Sequence, residues 1–443
     1  MALTGLDIYK QLPKKNCGEC GPPTCLAFAM ALASGKAALD SCPYVSAEAK
    51  ENLDAASAPP IKLIKFGAGA ALGDETVMFR HEKTFFHETT IVVRVSDKLS
   101  QAEIAAKVAE INDLTFERVG LQYTVQGIAI DNESGDAAKF ATAVQEVAAN
   151  SQLSLVLLTE DAAALKSALA PIADRKPLVG VATAANYEAM VEVAKGAGVP
   201  LLVRGENLDS LAELVEKITA LGYKDLVLDS GSRTTSRVLA DLTQLRRQAI
   251  KKKFRLFGYP AAAFTQEENP LDEIIQAGVY VAKYASMVVL NASKKEHILP
   301  LLTIRQNLYT DPQKPIQVEP KLHAVGEVSA DSPVYVTTNF SLTYYTVQGE
   351  VEATRIPSYI LAVDTDGTSV LTAYAAGKFE PEKVAELMQK FEVADKVNHK
   401  NVVIPGYVAV ISGKLQELSG WKVVVGPREA SGIVSFAKSN FGA

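Results

Sequence analysis

All four cysteines of the 443-residue chain stand in its first tenth, at Cys17, Cys20, Cys25 and Cys42, in the pattern C-x2-C-x4-C-x16-C. Thiols gathered in this way can close disulfides, hold one zinc ion tetrahedrally, or bind a [4Fe-4S] cubane with one sulfur per iron. The N-terminus lacks a basic start followed by an apolar run, so a reducing cytoplasm is expected, which disfavours disulfides. Zinc sites commonly use two short Cys hooks. Here the grouping is three plus one, and that spacing favours the cubane while leaving the other two readings open. Gly18 and Gly21 have no Cβ, so backbone N–H groups can approach cluster sulfides. Pro22 and Pro23 stiffen the loop and lower the entropy lost on ordering three ligands.

The elements that position these thiols are short. Residues 26–35 are good helix formers ending at Gly35, and they predict one helix that returns the chain to Cys42. A segment of about 55 residues buries too little to hold together without a metal. Residues 55–60, Ala-Ala-Ser-Ala-Pro-Pro, then read as a linker.

From about 61 to 310, short apolar runs alternate with amphipathic stretches, the pattern of an α/β fold with a parallel sheet. Strands are expected at 62–66, 76–79, 90–95, 122–130, 153–159, 178–182, 201–204, 226–229, 255–258 and 287–290. Leu211, Leu214, Val215, Ile218 and Leu221 form one helical stripe, and Ile104, Val108 and Ile111 another. The size fits a TIM (β/α)8 barrel, with a long open sheet as the alternative. Arg204-Gly205-Glu206-Asn207 and Asp229-Ser230-Gly231-Ser232-Arg233 follow strands, where barrel active sites are built, but ordinary loop polarity is the preferred explanation. Five scattered His, at 81, 87, 297, 323 and 399, form no ligand grouping. Gly67 to Gly73 fails the G-x-G-x-x-G spacing and is rejected as a dinucleotide loop.

Residues 293–330 show little periodicity and read as a crossing linker. A small open α/β domain follows, with strands expected at 334–338, 359–364, 402–404, 407–411 and 422–425, and helices at 369–377, 381–391 and 429–439. Ligands of such sheets bind at the carboxyl ends of strands. Those ends, 337–343, 365–373, 405–406, 412–413 and 426–433, are rich in hydroxyl residues and Gly, which leave room for a large flat ligand. Arg428 is the one basic residue among them, so an uncharged, amide-fringed ligand fits better than a phosphate.

Composition sets outer limits. With 48% hydrophobic and 22% charged residues and a net charge of −6, the chain has soluble globular composition. Its Lys and Arg are interspersed, which argues against nucleic acid, and no apolar run approaches the ~20 residues of a membrane span.

The string Asn16-Cys17-Gly18-Glu19-Cys20-Gly21-Pro22-Pro23-Thr24-Cys25, with the residues from Leu6 leading into it and Cys42-Pro43 after it, closely resembles the large (gamma) subunits of corrinoid iron-sulfur proteins. These belong to the acetyl-CoA synthase/CO dehydrogenase (Wood-Ljungdahl) pathway. The resemblance implies a [4Fe-4S] module at 1–58 ligated by Cys17, Cys20, Cys25 and Cys42, a TIM barrel at 59–310, and a Rossmann-like corrinoid (cobamide)-binding domain at 311–443 that includes its linker. It would lay the corrinoid against Thr338, Asn339, Phe340, Thr343, Thr346, Gly367, Thr368, Ser369, Val370, Leu371, Thr372, Ala373, Ser431, Gly432 and Ile433. The usual D-x-H-x-x-G loop is absent, and Asn398-His399 lacks that pattern, so a base-off cobamide with no protein His on cobalt is expected.

By the same resemblance the chain is a methyl carrier rather than an enzyme with catalytic residues of its own. It would take a methyl group from methyltetrahydrofolate, through a methyltransferase, onto Co(I), and donate it to acetyl-CoA synthase. The cluster would return Co(II) to Co(I). The implied partners are a small (beta) subunit forming a heterodimer, the methyltransferase, and acetyl-CoA synthase/CO dehydrogenase, with no nucleic acid and no membrane. Movement between partners would be allowed at the linkers near 55–60 and 310–330. Two competitors stand beside this reading: an iron-sulfur barrel enzyme acting on a pterin or another small substrate without cobalt, and a zinc-stabilised scaffold.

Overall fold

The computed structural model describes residues 5–33, 37, 39–46, 49, 53, 59–85, 87–311 and 315–442. Two compact units divide the chain. One comprises Met1–Met78, Phe86–Ala109 and Gln126–Ala292, and the other Phe79–Phe85, Glu110–Val125 and Ser293–Ala443.

At the start of the first unit, helices Gly5–Gln11 and Cys25–Ala33 pack together, burying Ile8, Leu12, Phe28 and Ala29 with Cys25 and Cys42. The expected helix over 26–35 is thus present to Ala33, and its last residues lie outside the described ones, as do residues 55–58 of the linker. A core this small supplies little burial energy.

The remainder of that unit is a barrel of eight parallel strands: β1 (Thr90–Ser96), β2 (Gly127–Asp131), β3 (Ser154–Leu158), β4 (Leu178–Ala182), β5 (Leu201–Arg204), β6 (Leu226–Asp229), β7 (Ala262–Phe264) and β8 (Met287–Leu290). They pair in the order β6-β5-β4-β3-β2-β1-β8-β7, and one parallel bridge between Leu228 and Ala261 nearly closes the ring. Strands buried on both faces are continuous apolar runs, as β3 and β4 show. The antiparallel hairpin Ile64–Phe66/Ala70–Leu72 sends Ile64, Phe66 and Leu72 into the same core as Val92, Val156, Leu202 and Met287. The N–H of Ala68 donates to Ser154 Oγ and that of Gly67 to the Lys176 carbonyl, so the hairpin closes the N-terminal end of the barrel.

Three strand expectations are corrected. Residues 76–79 are not a strand, and residues 255–258 fall on the 3-10 turn Arg255–Phe257. The true seventh strand is the Ala-rich β7, where low β-propensity is overridden by ladder bonds on both sides. Residues 122–130 divide into β2 and one arm of the hairpin Thr115–Arg118/Leu121–Thr124.

In the second unit, the expected linker 293–330 contains the helix Lys295–Tyr309 and the strand β9 (Leu322–Val325). Buried Ile298, Leu301, Leu302 and Arg305 carry the helical spacing through the internal Pro300. Arg80 closes the helix C-terminus by donating to the carbonyls of Leu308 (2.7 Å) and Thr310 (2.6 Å).

Strand β9 is the antiparallel edge of a five-stranded sheet completed by β10 (Val334–Thr338), β11 (Ser358–Val363), β12 (Asn401–Ile404) and β13 (Lys422–Val425), in the order β9-β11-β10-β12-β13. The last four are parallel. Alternate residues feed opposite faces. Val334, Val336, Leu361 and Val363 meet the helices Val370–Ala375, Pro381–Lys390 and Ser412–Ser419, whereas Tyr335, Ile360 and Val403 meet Ser341–Thr354 and Ile433–Asn440. The expected strand 407–411 is instead the 3-10 segment Gly406–Ile411.

Candidate functional site

The cysteine loop is built to present thiols. Thr24 Oγ1 accepts from the Ala27 N–H and caps the helix that begins at Cys25, so that thiol sits at a helix N-terminus. Asn16 clamps the two ends of the loop. Its Oδ1 accepts from the Cys25 N–H at 2.8 Å, while its own N–H donates to Cys25 Sγ at 3.4 Å. Gly18 and Gly21 both take positive φ, +75° and +100°, in the turn that carries Cys20.

All four cysteines are free thiols, two buried, one half-buried and one exposed. Burial pushes the Cys20 thiol up, and so do the charges of Cys42, Cys17 and Cys25, against a backbone hydrogen bond that lowers it. Four thiols held in one small module are a donor set suited, once they give up their protons, to a polycationic iron centre. Among the described residues no group of three or more His, Cys, Asp or Glu is arranged to hold a single metal ion. A cubane does not require such convergence, because each thiolate takes a different iron. Around the loop, Tyr44 donates to Glu19 at 2.8 Å and Lys15 lies 3.8 Å from the Tyr44 ring centroid.

The second candidate is a crevice of about 320 Å³ at the carboxyl ends of β10 and β12. Strands β10 and β11 pair over five positions, whereas β10 and β12 share only the Tyr335–Val403 pair. This is where strand order reverses, since the chain leaves β10 for β11 on one side and later returns to β12 on the other. Open α/β sheets bind ligands at such a switch point. The crevice walls are apolar, with Leu342, Val347, Val370, Ile404, Pro405 and Ile433 among them. At its base Thr337 is 1% exposed and its hydroxyl has no hydrogen-bond partner, and the buried hydroxyls of neighbouring Thr338 and Ser341 are likewise unpaired. An unpaired buried hydroxyl costs about 1–3 kcal/mol. Three around one strand end therefore call for a polar ligand or water.

The structure sorts the fifteen expected contacts. Thr343, Thr346, Val370 and Ile433 line the crevice, and Thr338 lies at its strand end. Phe340 precedes the helix Ser341–Thr354, an element that the expected loop 337–343 did not foresee. Asn339 is fully buried and organises loops: its Nδ2 donates to Gln317 and Asp364, and its Oδ1 accepts from Thr365 and from the Gly367 N–H. Gly367 and Thr368 form the turn so held, Ser369 and Thr372 bond each other, and the Ala373 side chain is buried in the core. Leu371 and Ser431 are exposed and Gly432 half-buried.

Some rim glycines serve a different purpose from the one expected. A Cβ on Gly406 would stand 2.6 Å from the Gly426 carbonyl oxygen, and the Gly406 N–H already donates to Pro427. These turns pack on each other instead of opening toward a ligand. Thr337, Leu342, Pro405 and Pro427, which also line the crevice, fall within the strand ends expected to face a ligand without being among the fifteen named contacts, whereas Val347 and Ile404 lie outside those ends. The switch-point rule could have indicated them, but only with the strand order known.

Both histidines of this sheet are engaged. His399 contacts the Ser332 carbonyl through Nε2 (2.9 Å) and accepts the Asn401 N–H at Nδ1. His323 bonds the Glu319 carbonyl and packs on the Tyr344 ring, and burial pulls its pKa down.

A cysteine module, a parallel barrel and a ligand crevice in an open sheet define a cofactor-carrying α/β protein, and comparisons narrow the class. Residues 63–437 match the family model for the CO dehydrogenase/acetyl-CoA synthase delta subunit, and residues 12–44, with all four cysteines, match a model described as an Fe-S cluster. The chain is 63% identical to the corrinoid/iron-sulfur protein large subunit of Moorella thermoacetica, covering 99% of both chains. It is 34% identical to the acetyl-CoA decarbonylase/synthase complex subunit gamma of Methanothermobacter thermautotrophicus, covering 98% of each. A solved dihydropteroate synthase from Vibrio fischeri aligns with 53% of this chain at 12% identity and a TM-score of 0.39, too low to bear on fold or function. The delta-subunit model omits the cysteine module, whereas the large and gamma subunits match over the full length. The chain belongs to the family of corrinoid/iron-sulfur protein large (gamma) subunits of the acetyl-CoA synthase system. Among the described residues no helix is long and apolar enough to cross a membrane.

Proposed function

We propose that this chain is a methyl carrier, with a corrinoid on the carboxyl rim of its Rossmann-like C-terminal sheet and a [4Fe-4S] cluster on Cys17, Cys20, Cys25 and Cys42. When bound, the corrinoid supplies a cobalt that takes a methyl group from methyltetrahydrofolate and passes it to acetyl-CoA synthase, and the cluster supplies the single electrons that restore Co(I). The observation that carries this reading is the crevice with the unpaired Thr337 hydroxyl in its wall and those of Thr338 and Ser341 beside it, set at the sheet's switch point in a member of this family.

Each side chain has a defined part. Thr337, Thr338 and Ser341 offer hydroxyls to amide groups, which both donate and accept. Thr343 and Val370 shape opposite walls, and Leu371 and Thr372 stand exposed beside them for the larger corrin face. The apolar walls exclude water and take a flat lower-base tail, consistent with a base-off cobamide. No histidine is expected on cobalt, since His323 and His399 are held by other bonds. A weaker axial donor makes the reduced, nucleophilic metal easier to reach.

The partners of this reading are a small (beta) subunit in a heterodimer, a methyltetrahydrofolate methyltransferase and acetyl-CoA synthase/CO dehydrogenase. The names of the relatives as complex subunits support the synthase assignment.

Filling the crevice provides a test. Thr343→Phe places a ring in the cavity without touching the sheet core. Cobalamin retained through gel filtration should fall about tenfold, the loss of one good contact's worth of binding energy, with iron content unchanged. Full retention in a folded Thr343→Phe protein would remove the crevice from the corrinoid site.

A further inference from the structure

The C-terminal mouth of the barrel holds a second cavity, of about 380 Å³, that the carrier function does not use. Its lining reverses the character of the first. Three guanidinium groups from three places in the ring converge on it: Arg94 on β1, Arg204 at the end of β5, and Arg233 beyond β6. They are not equally committed. Arg233 forms a two-pronged pair with the buried Asp229, at 2.9 and 2.7 Å, and lies over the Phe264 ring, so it is a fixed wall. Arg204 pairs with Glu160, a carboxylate that is 57% exposed and therefore readily exchanged for another anion. Arg94 is 16% exposed, stands 3.6 Å from Asp131, and has an Nε that makes no hydrogen bond.

The acidic side of the cavity is correspondingly weak. Burial pushes the Asp131 carboxyl up, against the pull of Arg94, so its charge is poorly suited to neutralising two arginines. Asn132 is the other unsatisfied group. Its Nδ2 donates to Thr159 Oγ1 at 3.0 Å, which leaves Oδ1 buried with no donor. A half-satisfied polar network in a barrel mouth costs stability for each buried unpaired group. Structural plugs normally avoid that cost by pairing every member. The needs are complementary and specific: an anionic oxygen for Arg94, one that Arg204 can take in exchange for the exposed Glu160, and a donor hydrogen for Asn132. Active and binding sites of parallel barrels lie at this end, where loops after different strands meet.

We propose that the barrel mouth binds a small organic anion whose carboxylate or phosphate sits between Arg94 and Arg204 and whose hydroxyl or amino group donates to Asn132. Such a ligand would make this subunit responsive to a metabolite at a place formed wholly within the barrel. The proposal is independent of the corrinoid reading, since none of these residues belongs to the crevice or to the cysteine loop.

Calorimetric titration of the full-length, metal-loaded protein with glycerate, glycerol 3-phosphate and inorganic phosphate, at constant ionic strength, tests it. One of the two hydroxylated anions should bind about tenfold tighter than inorganic phosphate, the worth of one added hydrogen bond, and which of them wins identifies the anionic group. Arg94→Gln should weaken binding about tenfold or more, and Asn132→Ala should erase only the advantage of the hydroxylated anions. Should Arg94→Gln fail to fold, the rim variant Arg204→Gln carries the same expectation. The proposal is overturned if no probe binds below about 10 mM, a standard free energy of only a few kcal/mol, or if affinity is unchanged in a folded Arg94→Gln or Arg204→Gln protein.

Discussion

Thr337, next to last in a central strand, carries a buried hydroxyl that no described group satisfies. That makes its two possible roles separable by the sign of one substitution. Thr337→Val removes an unpaired hydroxyl while keeping shape, so the ligand-free protein should be equally or slightly more stable, within about 1 kcal/mol. Cobalamin retention should nevertheless fall three- to tenfold if the hydroxyl serves the corrinoid, about the energy of one hydrogen bond. Denaturation midpoints and cobalt per chain measure both. A loss of stability with unchanged retention would make Thr337 a packing residue. What the sequence revealed at this scale depended on the chemistry of each side chain. Four cysteines in one tenth of a chain are visible because no common structural need groups them so. A threonine at a strand end is not, because hydroxyls occur there whether or not a ligand does. Asn339 shows the same limit: it looks like a ligand contact in sequence, yet its amide is consumed by its own loops.

At the scale of elements, that consumption gives Asn339 a different prediction. It holds the end of β10 to the segment Gln317 and to the turn at residues 364–368, through bonds of 2.9 to 3.3 Å. Asn339→Ala should therefore destabilise the second unit by about 2–4 kcal/mol, the range for breaking a buried hydrogen-bond network, and should loosen the rim. Hydrogen exchange at Thr365 and Gly367 should accelerate in the variant. Unchanged exchange there would show that the turn holds itself. Several elements were readable from pattern alone, including the helix Leu208–Ala220 with its apolar stripe. Others were hidden for physical reasons. The helix Ser341–Thr354 is rich in Thr, Tyr and Val, which favour strands by propensity. The segment Gly406–Ile411 alternates like a strand but winds as a 3-10 turn, with Val408 and Ile411 buried and Tyr407 exposed. The crevice itself depends on β10 lying between β11 and β12, and strand order is a long-range property that no local pattern encodes.

For the whole molecule, the order of cysteine module, barrel and open sheet followed from where periodicity changes along the chain, and the resemblance carried by the cysteine string agreed with it. The boundary regions were less legible. The expected linker at 293–330 holds a helix that contains Pro300 and an edge strand with four ladder pairs, features that weaken a local signal without weakening the structure. Placing a cluster and a corrinoid on one chain fixes their ratio, and this makes composition a decisive observable. Elemental analysis of the anaerobically purified protein for cobalt, iron and zinc together tests the carrier function most directly. The expected result is about one cobalt and four iron per chain with no stoichiometric zinc, one corrinoid and one cubane. Iron without cobalt after reconstitution with cobalamin would contradict the carrier function, and zinc in place of iron would contradict the cluster as well.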